Sequence, residues 1–196
     1  VYILSKHAGG GRIHFVLAGI IVSSFLSSGV TFLKAIASER LSAIVMWLMG
    51  GFSGASNGAA LTVWLFAALS LGVSLLFGRQ LDAISLGDET GSLLGVDEKR
   101  LRVILLCAVS LSSAASVSYF GIIGFVGLVV PHLLRMMIGA LHRPLIACSF
   151  LAGGVLMAAA DGLAQICWEL PVGVITALLG APFFCWIMVR RKMMNP

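Results

Sequence analysis

The stretch LSAIVMWLMGGFSGASNGAALTVWLFAALSLGVSLLFG, Leu41–Gly78, runs 38 residues without a lysine, arginine, aspartate or glutamate. About 18 such residues are enough to suggest a helix through a bilayer. This run exceeds one crossing, and the glycines of GGFSGASNG interrupt it. The first part, LSAIVMWLM, is therefore expected to be helical up to that break, and a crossing is expected from about Ala59 to Phe77. A second charge-free run, Ile13–Leu33, has 21 residues. Two such runs already make a chain that crosses a membrane more than once.

The rest of the chain agrees. Its 196 residues are 59% hydrophobic and 11% charged, with a mean hydropathy of +1.05, more apolar surface than a soluble domain hides in one core. The 23 glycines recur with alanine and serine at helical spacing, as in SSFLSSG and LAGGVLMAAADG. Small residues let helix backbones approach where lipid supplies no hydrophobic drive. The fold class is all-α, a polytopic membrane helical bundle. Cys107, Cys148, Cys167 and Cys185 lie singly in apolar runs, without the CxxC spacing of zinc or redox sites, and read as small buried hydrophobes. The net charge of +5 is spread over short segments between spans, which excludes a nucleic-acid patch.

Six spans are expected, at about 13–33, 59–77, 101–119, 122–138, 144–167 and 172–189. The apolar run from Leu101 to Ile138 is too long for one helix and divides at SYFGIIGF. WELP separates the last two spans: Pro171 suits the first turn of the sixth and Glu169 its positive end. One long hydrophilic loop, 78–100, holds five of the eight acidic residues. Lysine and arginine sort eleven to one side of these spans and two, Lys34 and Arg40, to the other. The richer side is expected to be cytoplasmic, with both chain ends and the 78–100 loop on it.

Three places carry polar chemistry. In GFVGLVVPHLLR, Pro131 removes a main-chain donor and bends its helix, and His132 and Arg135 share a face three residues apart. Both a structural anchor and a gate fit these residues; a catalytic histidine lacks a nucleophile beside it. Asp161 is the one acid strictly inside a span, and a carboxylate there should face the bundle interior, as a structural hydrogen-bond acceptor or as a proton or cation site. In SLGDETGSLLGVDEKR, Asp88 and Glu89 open a short helical piece through Thr90 and Gly91, and Gly95 can end it. Leu93, Leu94 and Val96 give this loop a small apolar core suited to docking on a partner.

Read in order, GIIGFVGLVVPHLLR (Gly121–Arg135), HRPL (His142–Leu145), the pair Ala160–Asp161 and ELPVGVITALLGAPFF (Glu169–Phe184) closely resemble the signature of the FecCD family, the permeases of ABC importers for ferric siderophores, haem and cobalamin. The resemblance covers about Arg12 to Lys192. It implies about ten spans in a complete permease, of which these six look like the last, so that 1–196 is the C-terminal part of one transmembrane permease domain. It also implies a second permease copy, two cytoplasmic ABC ATPases that bind ATP and Mg²⁺, and a periplasmic or lipid-anchored binding protein, in a bacterial cytoplasmic (inner) membrane. The first and last spans here look like the pathway-lining pair. Asp88, Glu89, Thr90, Gly91, Leu94 and Gly95 occupy the position of the segment that docks on the ATPase, and Pro131, His132, Arg135 and Asp161 that of a gate or bundle anchor. Lys34, Arg40, Gln165 and Glu169 fall on the outer, binding-protein side. Many relatives place a basic residue where Gln165 stands and a tryptophan where Asn57 stands.

The chain begins at Val1 without an initiator methionine and is expected to be a piece of a longer protein. No GxxxxGK[ST] phosphate loop occurs in it, so ATP is expected to be bound and hydrolysed by a partner. No cofactor, metal or catalytic residue is expected in this chain. Competing readings are an ion-coupled secondary carrier using Asp161, a zinc or manganese permease drawing on His14, His132 and Asp161, and an intramembrane hydrolase pairing a serine with His132.

Overall fold

The computed structural model describes residues 1–7, 12–36, 41–87, 95–167 and 170–194, without the side chains of 6, 12, 41 and 186–194. Every regular element among them is helical: α1 Tyr2–His7, α2 Arg12–Ile36, α3 Leu41–Met49, α4 Asn57–Leu76, α5 Gly78–Ser85, α6 Glu98–Phe120, α7 Val126–Ile138, α8 His142–Ile166 and α9 Val172–Met194. Four are long and apolar enough to cross a membrane, at Ile13–Ile36, Asn57–Leu76, Glu98–Phe120 and His142–Ile166. The chain is a multi-pass membrane protein.

The chain divides into two compact units, Val1–Val45 and Met46–Pro196. In the first, α2 leaves most of its large apolar side chains exposed, Ile13 at 74% and Phe25 at 78%. Its hydroxyls bond carbonyls one turn back, Ser28 Oγ to Ser24 O and Thr31 Oγ1 to Ser27 O, both at 2.9 Å. Each donor is thereby satisfied without water.

In the second unit α8 is central. It packs against α4, α5, α7 and α9, while α6 lies along α4 and α9 also meets α7. Its sequence explains the position: Ala160 and Ala164 are each 2% exposed and pack with Val172, Phe52, Met157 and Ile175, whereas Ile166 on another face is 81% exposed. Small residues face neighbours and large ones face outward, as expected of helices associating in lipid.

Helix ends follow local chemistry. Ser56 caps α4 by accepting from Ala59 N at 3.2 Å, and Asp97 caps α6 by accepting from Arg100 N at 3.1 Å. Gly121 closes α6 with φ +72°, its N–H donating to Val117 O at 2.9 Å. Where a span at 122–138 was expected, the helix starts only at Val126 and has 13 residues, about 20 Å at 1.5 Å per residue and short of a hydrocarbon core of about 30 Å. The cause is residues Gly121–Phe125, which run non-helically between the two helices. The hydrophilic loop 78–100 likewise contains a helix, α5, that its composition did not suggest. Pro171 stands immediately before α9, its carbonyl accepting from Val174 N at 3.0 Å.

Candidate functional site

Polar chemistry in the second unit gathers at the two ends of α8. At its C-terminal end three segments cross closely. Gly51 N donates to Phe120 O at 2.9 Å, Gly173 N to Gly50 O at 3.2 Å, and Trp47 Nε1 to Ser118 O at 3.3 Å. A Cβ at Gly121 would stand 1.9 Å from Trp47 O, so only glycine lets α6 and the end of α3 meet here. Phe52 and Phe120 add an edge-to-face contact, with centroids 5.1 Å apart.

Beside this crossing lies a cavity of about 860 Å³, whose walls include Trp47, Phe52, Tyr119, Asp161 and Gln165. Asp161 Oδ2 accepts from Gln165 Nε2 at 2.8 Å, one helical turn on. The carboxylate is half-buried, and among the described residues no basic side chain pairs with it. Gln165 is its hydrogen-bond donor.

Pro131 lines a different cavity of about 360 Å³ with Ser70, Ser74, Ser112, Ser149 and Gly153. Asp161 lies eight residues beyond Gly153 along α8, about 12 Å. The structure thus places Asp161 and Pro131 in separate cavities. His132 is half-buried and Arg135 exposed; neither side chain has a hydrogen bond or ion pair among the described residues. Lys34 sits half-buried in the last turn of α2, where a cation suits the helix dipole. Gly95 has φ +75°, a conformation that favours glycine. Asp88, Glu89, Thr90, Gly91, Leu94, Arg40 and Glu169 lie outside the described residues.

At the N-terminal end of α8 the structure assembles a pair that sequence reading missed. Asp82 Oδ1, on α5, accepts from the main-chain N–H of His142 at 2.8 Å and from its ring Nδ1 at 2.7 Å, which requires the ring proton on Nδ1. The residue before α8 is Leu141, which offers no side-chain cap. Asp82 therefore supplies from another helix the acceptor that the first turn lacks. The main-chain bond from His142 holds the Asp82 carboxyl below its usual range, opposed by partial burial and aided by the His142 ring and the Arg143 charge. One turn before Asp82, Gly78 rests on Arg143: a Cβ there would be 2.6 Å from Arg143 Cγ. The overlooked signal was a 25-residue helix opening without Ser, Thr, Asp or Asn before it.

The model of the FecCD transport family matches residues 1–190. The hemin transport system permease protein HmuU of Yersinia pestis is 37% identical over 198 residues, 98% of this chain and 59% of its own length. The Fe(3+) dicitrate transport system permease protein FecD of Escherichia coli is 38% identical, over 90% of this chain and 56% of its own. Among solved structures, a metal-chelate type ABC transporter in an inward-facing conformation superposes with a TM-score of 0.88 at 31% identity, covering 96% of this chain and 62% of that one. The chain spans little more than half the length of the curated relatives it matches.

Proposed function

Because the chain belongs to the FecCD transport family, we propose that it forms part of the permease of an ABC importer that takes up an iron chelate such as a ferric siderophore, or haem or cobalamin. The observation that carries this reading is similarity along nearly the whole chain to permeases named for hemin and ferric dicitrate. In this reading residues 1–196 are the C-terminal part of one transmembrane domain, in a bacterial cytoplasmic membrane with both ends of the segment cytoplasmic. The permease pairs with a second copy or a close homologue. Two cytoplasmic ATPases bind ATP and Mg²⁺, and an outer binding protein delivers the chelate.

With that orientation, the α5 end of α8 faces the cytoplasm and the Asp161 cavity faces outward. Residues 88–95 dock on the ATPase within the 78–100 loop, and nucleotide-driven closure there alternates access through the bundle. Pro131, His132 and Arg135 serve as the bend and anchor of α7. Lys34, Arg40, Gln165 and Glu169 belong to the outer side.

A second reading rests on Asp161, a half-buried carboxylate on an open cavity with Gln165 as its only side-chain partner among the described residues. Such a group suits a proton-coupled carrier. A bare-metal permease is poorly served, since Asp161 and Pro131, the neighbour of His132, line different cavities.

Affinity copurification of the complete permease with its candidate ATPase, wild type against Gly91→Arg, separates the readings. Retention by the wild type and release by a folded variant supports the importer. An ATPase that binds neither, with the fold preserved, removes its main support and turns attention to Asp161.

A further inference from the structure

Among the described residues helix α5 packs chiefly against α4 and α8, and a single residue, Phe77, joins it to α4. Its other end leads within three residues to position 88. In the importer reading, a displacement of the 88–95 segment is passed back to α5, which precedes it, as well as on to α6, which follows it. The contacts of α5 with α8 are specific. Gly78 and Asp82 are four residues apart, on one face of α5, and they meet the adjacent residues Arg143 and His142 at the start of α8. The first contact is steric and the second polar, so sliding and separation are both resisted.

From this geometry we infer that Asp82, through its two bonds to His142, is a positioning residue that makes α5 and α8 move as one body. The inference rests on the importer reading and names how that importer transmits force. A push on α5 enters α8 at its first residue. Nineteen residues on, about 28 Å along a straight helix, the same element carries Asp161 on the outer cavity. On the way α8 touches α4, α7 and α9, so its displacement is passed to all three. Without the Asp82 bonds, α5 keeps its covalent link to α4 and its contact at Gly78, and its displacement is taken up by rotation about Phe77. ATP is then hydrolysed without moving α8.

The complete transporter, reconstituted in proteoliposomes with its ATPase and binding protein, gives the test: uptake of hemin, cobalamin and ferric citrate is measured beside ATP hydrolysis. In Asp82→Ala, hydrolysis should stay within about twofold of wild type while molecules transported per ATP fall about tenfold or more. Asp82→Asn, whose amide oxygen still accepts both N–H groups, should keep most of that ratio. His142→Phe, which retains the main-chain bond alone, should fall between. Should Asp82→Ala fail to assemble, the latter two variants decide, since both keep α8 capped. An unchanged ratio in Asp82→Ala, or hydrolysis and uptake lost in equal proportion, overturns the inference. So does equal loss of coupling in Asp82→Asn and Asp82→Ala. A wild type that neither retains an ATPase nor takes up any of the three chelates overturns the importer reading, and this inference with it.

Discussion

Asp82 and His142, 60 residues apart in the chain, share one carboxylate oxygen between a main-chain and a ring nitrogen of the same histidine. The bond to the main chain is a helix cap supplied from a neighbouring element. It ties the two residues more firmly than a surface ion pair such as Arg100 with Asp97, which is largely exposed and worth little.

The sign of its pH dependence follows. The Asp82 carboxyl is held below its ordinary range in the folded protein, so its stabilisation is present above about pH 4 and is lost as pH falls through the lowered value. Asp82→Ala should therefore lower the thermal midpoint of the permease in detergent at pH 6, by the equivalent of about 1 kcal/mol. The gap between variant and wild type should narrow as the pH is taken below the ordinary carboxylate range and the Asp82 carboxylate is protonated. A gap that persists unchanged in acid would show that the carboxylate charge is not involved.

Gly121→Ala should be among the most damaging small substitutions in the chain. The added methyl meets Trp47 O at 1.9 Å on a backbone with φ +72°, and the combination should cost about 2 kcal/mol or more. Thermal unfolding followed by tryptophan fluorescence reads it directly, and an unaltered midpoint would mean that α3 and α6 do not cross here.

Phe125 enters α7 with φ +67°, unusual for an aromatic residue, and a Cβ at Gly180 would lie 2.3 Å from Phe125 Cβ. Gly180→Ala should destabilise by about 1–3 kcal/mol. In a Phe125→Gly background most of that loss should vanish. A double-mutant cycle with additive energies would contradict the contact.

For Asp161→Asn the importer reading expects ATP-driven uptake within about twofold of wild type, because an amide still accepts from Gln165. Uptake that becomes insensitive to an imposed proton gradient only in this variant would favour the ion-coupled reading.

His132→Ala removes a half-buried ring with no polar partner among the described residues. Expression or uptake should fall modestly, by about twofold. Complete loss of uptake in a well-folded variant would assign the ring a part in gating.

Membrane residence and the main helices were legible because both follow from neighbouring residues. Charge-free runs locate α2 and α4, and SYFGIIGF divides α6 from α7. What was not legible depends on distant partners. The late start of α7 involves Phe125 held in an unusual conformation against Gly180, 55 positions away. Helix α5 looked like polar loop because its order comes from α8, and Asp82 looked like one acid among several until Leu141 proved to leave α8 without a cap. Asp161 was recognised as the buried-span acid, but its cavity is formed by residues from 46 to 172 that no local pattern assembles.

The reversal of residue size across α8 also bears on how such a chain drifts over generations. Exchanges among leucine, isoleucine and phenylalanine around Ile166, 81% exposed, disturb no helix contact among the described residues. Enlarging Ala160 or Ala164, each 2% exposed, forces whole helices apart. Divergent relatives should therefore keep the alanines and vary the bulky exterior, the opposite of the pattern in a water-soluble bundle.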